Sequence, residues 1–372
     1  MCTGLETYPT NGRVARFRAA GAGDSHRVKR KPLSDQVVLV TGASSGLGRA
    51  VARAAGARGA KVVVTARTGD ALDACVREIE ASGSEALAVT ADCAVQDEVQ
   101  QVVEQAVDRF GRIDTYVANA IVTVYAETYR YEPDELRRIM DVNFFGQVYG
   151  YWAALPHLRE SKGTFVSICS ALSYRAIPLQ GGYCASKAAL RAFFESARVE
   201  IEKAGWDVAV SVILPGAINT PQFDRDRQKI GKQPQPVPPI YQPEPFAAAV
   251  LHCCERPIRE LPLGWGAQKA IWGQKVSPRA GDLMLRRMGW KSQHTNEDKP
   301  LDSPDNLFEP MPGDPGAHGR FDDTSRGSTA WTSLRLALRS PKAALALLGV
   351  GAVAAGSAEL LASRGRRLTR VG

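Results

Sequence analysis

Val37-Val38-Leu39-Val40-Thr41-Gly42-Ala43-Ser44-Ser45-Gly46-Leu47-Gly48 decides how the rest of the chain is read. Its first four residues are β-branched or aliphatic, with no polar interruption, and predict a strand buried on both faces. Small residues follow, and Arg49 to Arg58 reads as a helix. A glycine-rich turn between a buried strand and a helix lets the backbone approach a pyrophosphate closely. The helix N-terminus adds unpaired N–H groups and a partial positive charge. Thr41, Gly42, Ser44, Ser45, Gly46, Leu47 and Gly48 are therefore candidate cofactor-binding residues. The plainer alternative is a turn without a ligand. The position of this one, at the head of a βα unit, argues against that alternative.

Outward from this turn the same alternation repeats. Lys61 to Thr65, Ala86 to Val89 and Thr115 to Val117 read as strands. Ala71 to Ser82 and Gln96 to Phe110 read as the helices between them. Further on, a long helix is predicted from Pro133 through Tyr151, and another from Tyr183 to Lys203. Strands are predicted at Gly163 to Ile168 and Val208 to Ile213, and a helix at Pro245 to Cys254. Repeated βα units imply an α/β fold, a doubly wound, Rossmann-like parallel sheet with helices on both faces.

The end of the second strand bears on the cofactor. An acid there holds ribose hydroxyls, whereas an arginine accommodates a 2′-phosphate. Here the strand ends Thr65-Ala66-Arg67-Thr68, with no acid before Asp70. The planar fork of Arg67 suits phosphate, so NADP(H) is expected ahead of NAD(H). A solvated strand-end arginine is the alternative.

Tyr183-Cys184-Ala185-Ser186-Lys187 opens a predicted helix. Residues four apart share a helix face. A free tyrosine, with a pKa of about 10, is a poor acid/base at neutral pH, and a neighbouring ammonium lowers that pKa. Taken alone, the pair reads as a helix-surface contact.

Together the Thr-Gly-x-x-x-Gly-x-Gly turn and the Tyr-x-x-x-Lys segment resemble the short-chain dehydrogenase/reductase superfamily, over roughly residues 35 to 260. Other elements fall in the family's order. Ser170 lies thirteen residues before Tyr183, where the family carries a catalytic serine. Asn143, in Asp141-Val142-Asn143-Phe144-Phe145-Gly146, matches its catalytic asparagine. Pro215-Gly216 matches the turn beside the nicotinamide, Thr220 the threonine that binds its carboxamide, and Asp92 the acid near the adenine. The resemblance implies hydride transfer between nicotinamide and a carbonyl or secondary alcohol. Tyr183 would be the general acid/base, and Lys187 would bind the nicotinamide ribose and lower the Tyr183 pKa. Ser170 would donate to the substrate oxygen, and Asn143 would position a water in a proton relay. It also implies a homodimer or homotetramer formed through the two long helices. The alternative from another class is a catalytically weak dinucleotide-binding scaffold or sensor.

One departure stands out. The family's Asn-Asn-Ala-Gly appears here as Ala118-Asn119-Ala120-Ile121. A β-branched side chain does not take glycine's left-handed conformations, so a reshaped loop is expected. Asn119 either contacts the cofactor or ties the fourth strand to its neighbour. Cys169, Arg175 and Cys184 read as bystanders.

The remainder of the chain sets the domain scheme. Of 372 residues, 44% are apolar and 23% charged, as in globular proteins. The net charge of +8 is concentrated at the two ends. No nucleic-acid-binding signature accompanies it, so nucleic acid is not expected as a partner. Seven scattered cysteines form no framework or zinc motif and fit a reducing cytoplasm. No metal is expected, and His318 has no partner at metal-ligand spacing. Residues 1–34 read as a flexible basic leader, 35–256 as the catalytic domain and 257–330 as an irregular extension. Residues 331–372 read as an apolar helix with basic flanks. Within it, 343–358 carries no charge but falls short of the about 20 residues of a spanning helix. Membrane contact through this run, or a helix packed on protein, are the two readings left open.

Overall fold

The computed structural model describes residues 29–330, with 332, 333 and 336. The leader up to residue 28 and the apolar run at 343–358 lie outside the described residues. Seven strands make one parallel sheet. They are β1 (Val37–Thr41), β2 (Lys61–Ala66), β3 (Ala86–Thr90), β4 (Thr115–Ala118), β6 (Thr164–Ile168), β7 (Ala209–Pro215) and β10 (Glu260–Leu263). Their order across the sheet is β10-β7-β6-β4-β1-β2-β3. The chain therefore winds outward from β1 in one direction, then returns to place β4 on its other side. The crevice at this reversal, beyond the C-terminal strand ends, is where open α/β sheets bind ligands.

Side-chain alternation along β1 explains the layers. Val38 and Val40 join the core under α1 (Gly46–Gly56) and α8 (Pro243–Glu255). Val37 and Leu39 point to the other face, under α3 (Gln96–Phe110), α5 (Gly146–Ser161) and α6 (Gly181–Lys203). Both faces are covered, so the strand has no polar position to spare. On the second face Tyr116 stacks on Phe165 with ring centroids 5.3 Å apart. Gly150 of α5 lies directly against that tyrosine ring, leaving no room for a Cβ. The remaining elements are α2 (Gly69–Glu80), α4 (Pro133–Met140), a one-turn α7 (Gln222–Arg225), α9 (Trp265–Val276) and α10 (Pro278–Met288). Two small ribbons complete the fold: β5 (Val124–Tyr125) beside β8 (Arg227–Gln228), and β9 (Lys232–Pro234) antiparallel to β11 (His294–Asp298).

Three expectations change here. The long helix expected from Pro133 is interrupted by a π-helical turn, Asp141–Phe145, that separates α4 from α5. Its apolar pattern continues through the interruption, which hides the extra residue. The domain also begins before residue 35. Leu33 is fully buried, and Arg30 and Lys31 pair with Asp207 and Asp114. Finally, the region expected to be irregular from 257 onward contributes β10 to the sheet and then α9 and α10. Four residues, Glu260-Leu261-Pro262-Leu263, are too short and too proline-marked to read as a strand from sequence. They are held by register with β7, Glu260 opposite Val212. From 299 to 329 the chain has no regular structure beyond one 3-10 turn, Asp322–Thr324. Among the described residues no helix is long and apolar enough to cross a membrane.

Candidate active site

The glycine turn has the backbone that its sequence implies. Gly42 and Gly46 have φ of +65° and +55°, a region closed to most side chains. Gly48 needs its missing Cβ for a different reason, since one there would run into the carbonyl of Gly42 and the Asn119 amide. Asn119 makes the contacts of a structural tie while also lining the cavity described below. Its Nδ2 donates to the carbonyls of Thr41 (3.1 Å) and Gly42 (3.2 Å), and its backbone N–H donates to Thr41 Oγ1 at 2.9 Å. The side chain thus ties the end of β4 to the turn. Ile121 lies outside the left-handed region, because Lys162 and Leu179 are the non-glycine residues with positive φ among the described residues. The loop after β4 therefore carries its isoleucine without a left-handed backbone at that position.

A single cavity of about 1130 Å³ runs from this turn along the strand ends. Thr41, Gly42, Ser44, Ser45, Gly46, Leu47, Arg67, Asp92 and Asn119 line one end. Ser170, Tyr183, Lys187, Pro215, Gly216 and Thr220 line the middle. Gly48 and Asn143 stand behind this lining rather than in it. Gly48 presses on Gly42, while Asn143 is fully buried. Asn143 Oδ1 accepts from Val122 N–H at 2.8 Å, and its Nδ2 donates to the Val122 carbonyl (2.9 Å) and Ser186 Oγ (3.1 Å). Ser186 in turn donates to the Tyr183 carbonyl at 2.8 Å. Ser186 escaped the sequence reading, although it sits one helical turn after Tyr183. It joins the π-helical turn to the start of α6.

Ser170, Tyr183 and Lys187 converge. Ser170 lies two residues beyond β6 and caps the 3-10 turn Ala171–Ser173, accepting from Leu172 N–H at 3.1 Å. Its side chain lines the same cavity as Tyr183. The Lys187 ammonium lies 5.6 Å from the centre of the Tyr183 ring and donates to the Ile168 carbonyl at 2.8 Å. That carbonyl also accepts from Gln147 Nε2 at 3.1 Å. The expected lowering of the Tyr183 pKa does not hold for the protein alone. Burial pushes it well above the ordinary phenol value, and the Ser170 side chain opposes this only in part. The ammonium is bonded to the Ile168 carbonyl and faces the tyrosine ring from 5.6 Å.

Burial also lowers the Lys187 pKa to about 8. Between that value and its unfolded pKa, the unfolded chain holds a proton that the native chain has lost. Stability from this group therefore rises with pH through that window, and the buried charge is a cost below it. Lys187→Met is expected to raise the melting temperature of the cofactor-free protein at pH 7 by roughly 2 °C or more. The gain should shrink toward pH 10, as thermal melts across pH would show. A lower melting temperature at pH 7 would refute it.

At the other end, Arg67 donates to the carbonyls of Asn306 (2.5 Å) and Phe308 (2.8 Å). Burial and the neighbouring Arg138 guanidinium push its pKa down, so the charge is only partly compensated and an anion there would be welcome. Asp92 accepts from Arg138 (2.6 Å) and from Ala94 N–H (2.9 Å). Arg175 is more than a bystander. It donates to Gln274 (2.8 Å) and Asp282 (2.6 Å), fastening α9 and α10 to the loop after Ser170. His318 sits between Glu244 (2.7 Å) and Asp322 (3.3 Å). Among the described residues no His, Cys, Asp and Glu cluster could hold a metal.

Comparison with known proteins agrees with this arrangement. A family model described as short chain dehydrogenase matches residues 36–231. The chain is 36% identical over 271 residues to the oxidoreductase YxnA of Bacillus subtilis, covering 72% of this chain and 76% of that one. It is 39% identical over 200 residues to 11-beta-hydroxysteroid dehydrogenase-like 2 of Arabidopsis thaliana, 51% of this chain and 63% of the relative. Versicolorin reductase of Emericella nidulans is 35% identical over 192 residues, 51% and 72% of the two chains. Among solved structures, an alcohol dehydrogenase from the archaeon Thermococcus sibiricus, complexed with 5-hydroxy-NADP, superposes with a TM-score of 0.54. It shares 28% identity over 61% of this chain and 95% of that one. With more than half its length matched and a glycine turn and Ser-Tyr-Lys group in one cleft, the chain belongs to the short chain dehydrogenase family of oxidoreductases.

Proposed function

We propose that this protein is an NADP(H)-dependent reductase or dehydrogenase acting on a bulky, largely apolar carbonyl or secondary alcohol. The observation that carries the reading is the single cavity that joins the phosphate turn and Arg67 to Ser170, Tyr183 and Lys187. A nicotinamide bound there supplies or accepts the hydride. The residues do the rest. Tyr183, protonated at neutral pH, donates to the carbonyl oxygen in reduction and takes the proton back in oxidation. Ser170 donates to that oxygen, where negative charge develops. Lys187 binds the ribose and supplies positive charge beneath the tyrosine. Asn143 and Ser186 hold the start of α6 against the loop after β4.

Arg67, with no acid at the end of β2, supports NADP over NAD. An NADP analogue is what the archaeal alcohol dehydrogenase holds. The substrate end supports an apolar ligand. Leu172, Ile177, Pro236, Val237, Met284 and Leu285 line it. The names of two relatives point the same way, a hydroxysteroid dehydrogenase-like protein and a versicolorin reductase. The test is NADPH consumption with a panel of polycyclic and long-chain ketones and aldehydes. Turnover with none of them, despite tight NADPH binding, would favour the scaffold reading.

A further inference from the structure

The segment from Asp305 to Gly316 carries no motif and lies outside the residues that the family model matches. It is nonetheless fixed to every side of the cofactor end of the cleft. Leu307 is fully buried in a small core with Val122, Val124, Ile139 and Val142. Arg138 of α4 donates to the Leu307 carbonyl at 3.0 Å, and Arg67 at the end of β2 holds the carbonyls on either side of that residue. Across the cleft, Arg225 of α7 donates to the carbonyls of Met311 (3.4 Å) and Pro312 (3.2 Å). Beyond them, Asp314 pairs with Arg49 of α1, which also holds Glu78, and Gly46 N–H donates to the Gly316 carbonyl at 3.1 Å. Asn306, Pro310 and Met311 line the same cavity as Ser44, Arg67 and Asp92.

A segment anchored on α1, β2, α4 and α7 crosses the opening rather than merely lying beside it. Most of its bonds use backbone carbonyls, so the path of the chain is held more than any one side chain. A ligand placed between the phosphate turn and Asp92 is enclosed by it. We propose that residues 305–316 are a strap over the adenosine half of the cleft, and that its release from α1 governs how fast the dinucleotide enters and leaves. The inference rests on the NADP reading above. A gate speeds both directions when it is loosened, whereas an added contact slows only departure.

The Arg49–Asp314 pair is the fastening to cut, because Asp314 is exposed and its loss spares the core. Stopped-flow fluorescence would follow NADPH binding, with displacement by excess NADP+, in wild type and Asp314→Ala. Asp314→Asn serves as a second variant, and thermal melts check the fold. In the variants, association and dissociation should both be about tenfold faster, with Kd changed less than about threefold. Unchanged rates overturn the proposal while leaving the NADP reading intact. Faster dissociation with unchanged association also overturns it, by reducing the strap to a contact. Failure of wild type and variants alike to bind either dinucleotide removes the NADP reading, and the strap with it.

Discussion

Tyr183→Phe is expected to bind NADPH as the wild type does and to turn over carbonyl substrates about 10³-fold more slowly, roughly 4 kcal/mol in barrier. The reason lies in what surrounds the hydroxyl. Tyr183 lines the cavity with Ser170, and burial holds its pKa above that of a free phenol. A phenol that stays protonated at neutral pH is suited to donate a proton. Phenylalanine keeps the ring and its packing over the Lys187 ammonium but has nothing to donate. The pH dependence has a definite sign. Reduction needs the protonated form, so its rate should hold level through neutral pH and fall only in alkali. Oxidation needs the phenolate, so its rate should climb with pH. Steady-state kinetics in both directions would show this. Turnover by Tyr183→Phe within tenfold of wild type would remove the tyrosine from the chemistry.

The second large effect is on the cofactor. Arg67→Ala is expected to raise the Kd for NADPH about 10- to 100-fold, the ~1.5–3 kcal/mol of a charge-assisted hydrogen bond to phosphate. NADH should be affected much less. The ratio is the informative quantity, because Arg67 also holds the Asn306 and Phe308 carbonyls. Loosening those contacts would alter both dinucleotides alike, whereas a 2′-phosphate contact alters one. Equal losses for the two, measured by fluorescence titration, would leave Arg67 as an anchor for the strap and no reader of the phosphate.

The groups that carry these two predictions were visible in the sequence at different depths. Tyr183 and Lys187 are four residues apart on one helix, a relation set by helical geometry alone. The turn from Thr41 to Gly48 is similarly local: strand, small residues, helix. Arg67 could be placed at a strand end by counting, but its partners could not, since they come 239 and 241 residues later. The setting of Tyr183 was hidden for the same kind of reason. Spacing says that an ammonium is near, but not that it will be turned onto the Ile168 carbonyl or how deeply the phenol is buried.

By itself the sequence determined the alternation of βα units, the glycine turn, the tyrosine helix and the family to which they belong. These are decided by short-range periodicity, by which residues tolerate a left-handed backbone, and by burial of β1 on both faces. Tertiary structure decided what depends on contacts between distant segments. Glu260–Leu263 became a strand because β7 offered an open edge. Asn119 became a tie because the turn came within reach of its amide. Residues 305–316, with no periodic pattern of their own, took their path from Arg49, Arg67, Arg138 and Arg225, cations that four separate elements bring to the rim of one cleft.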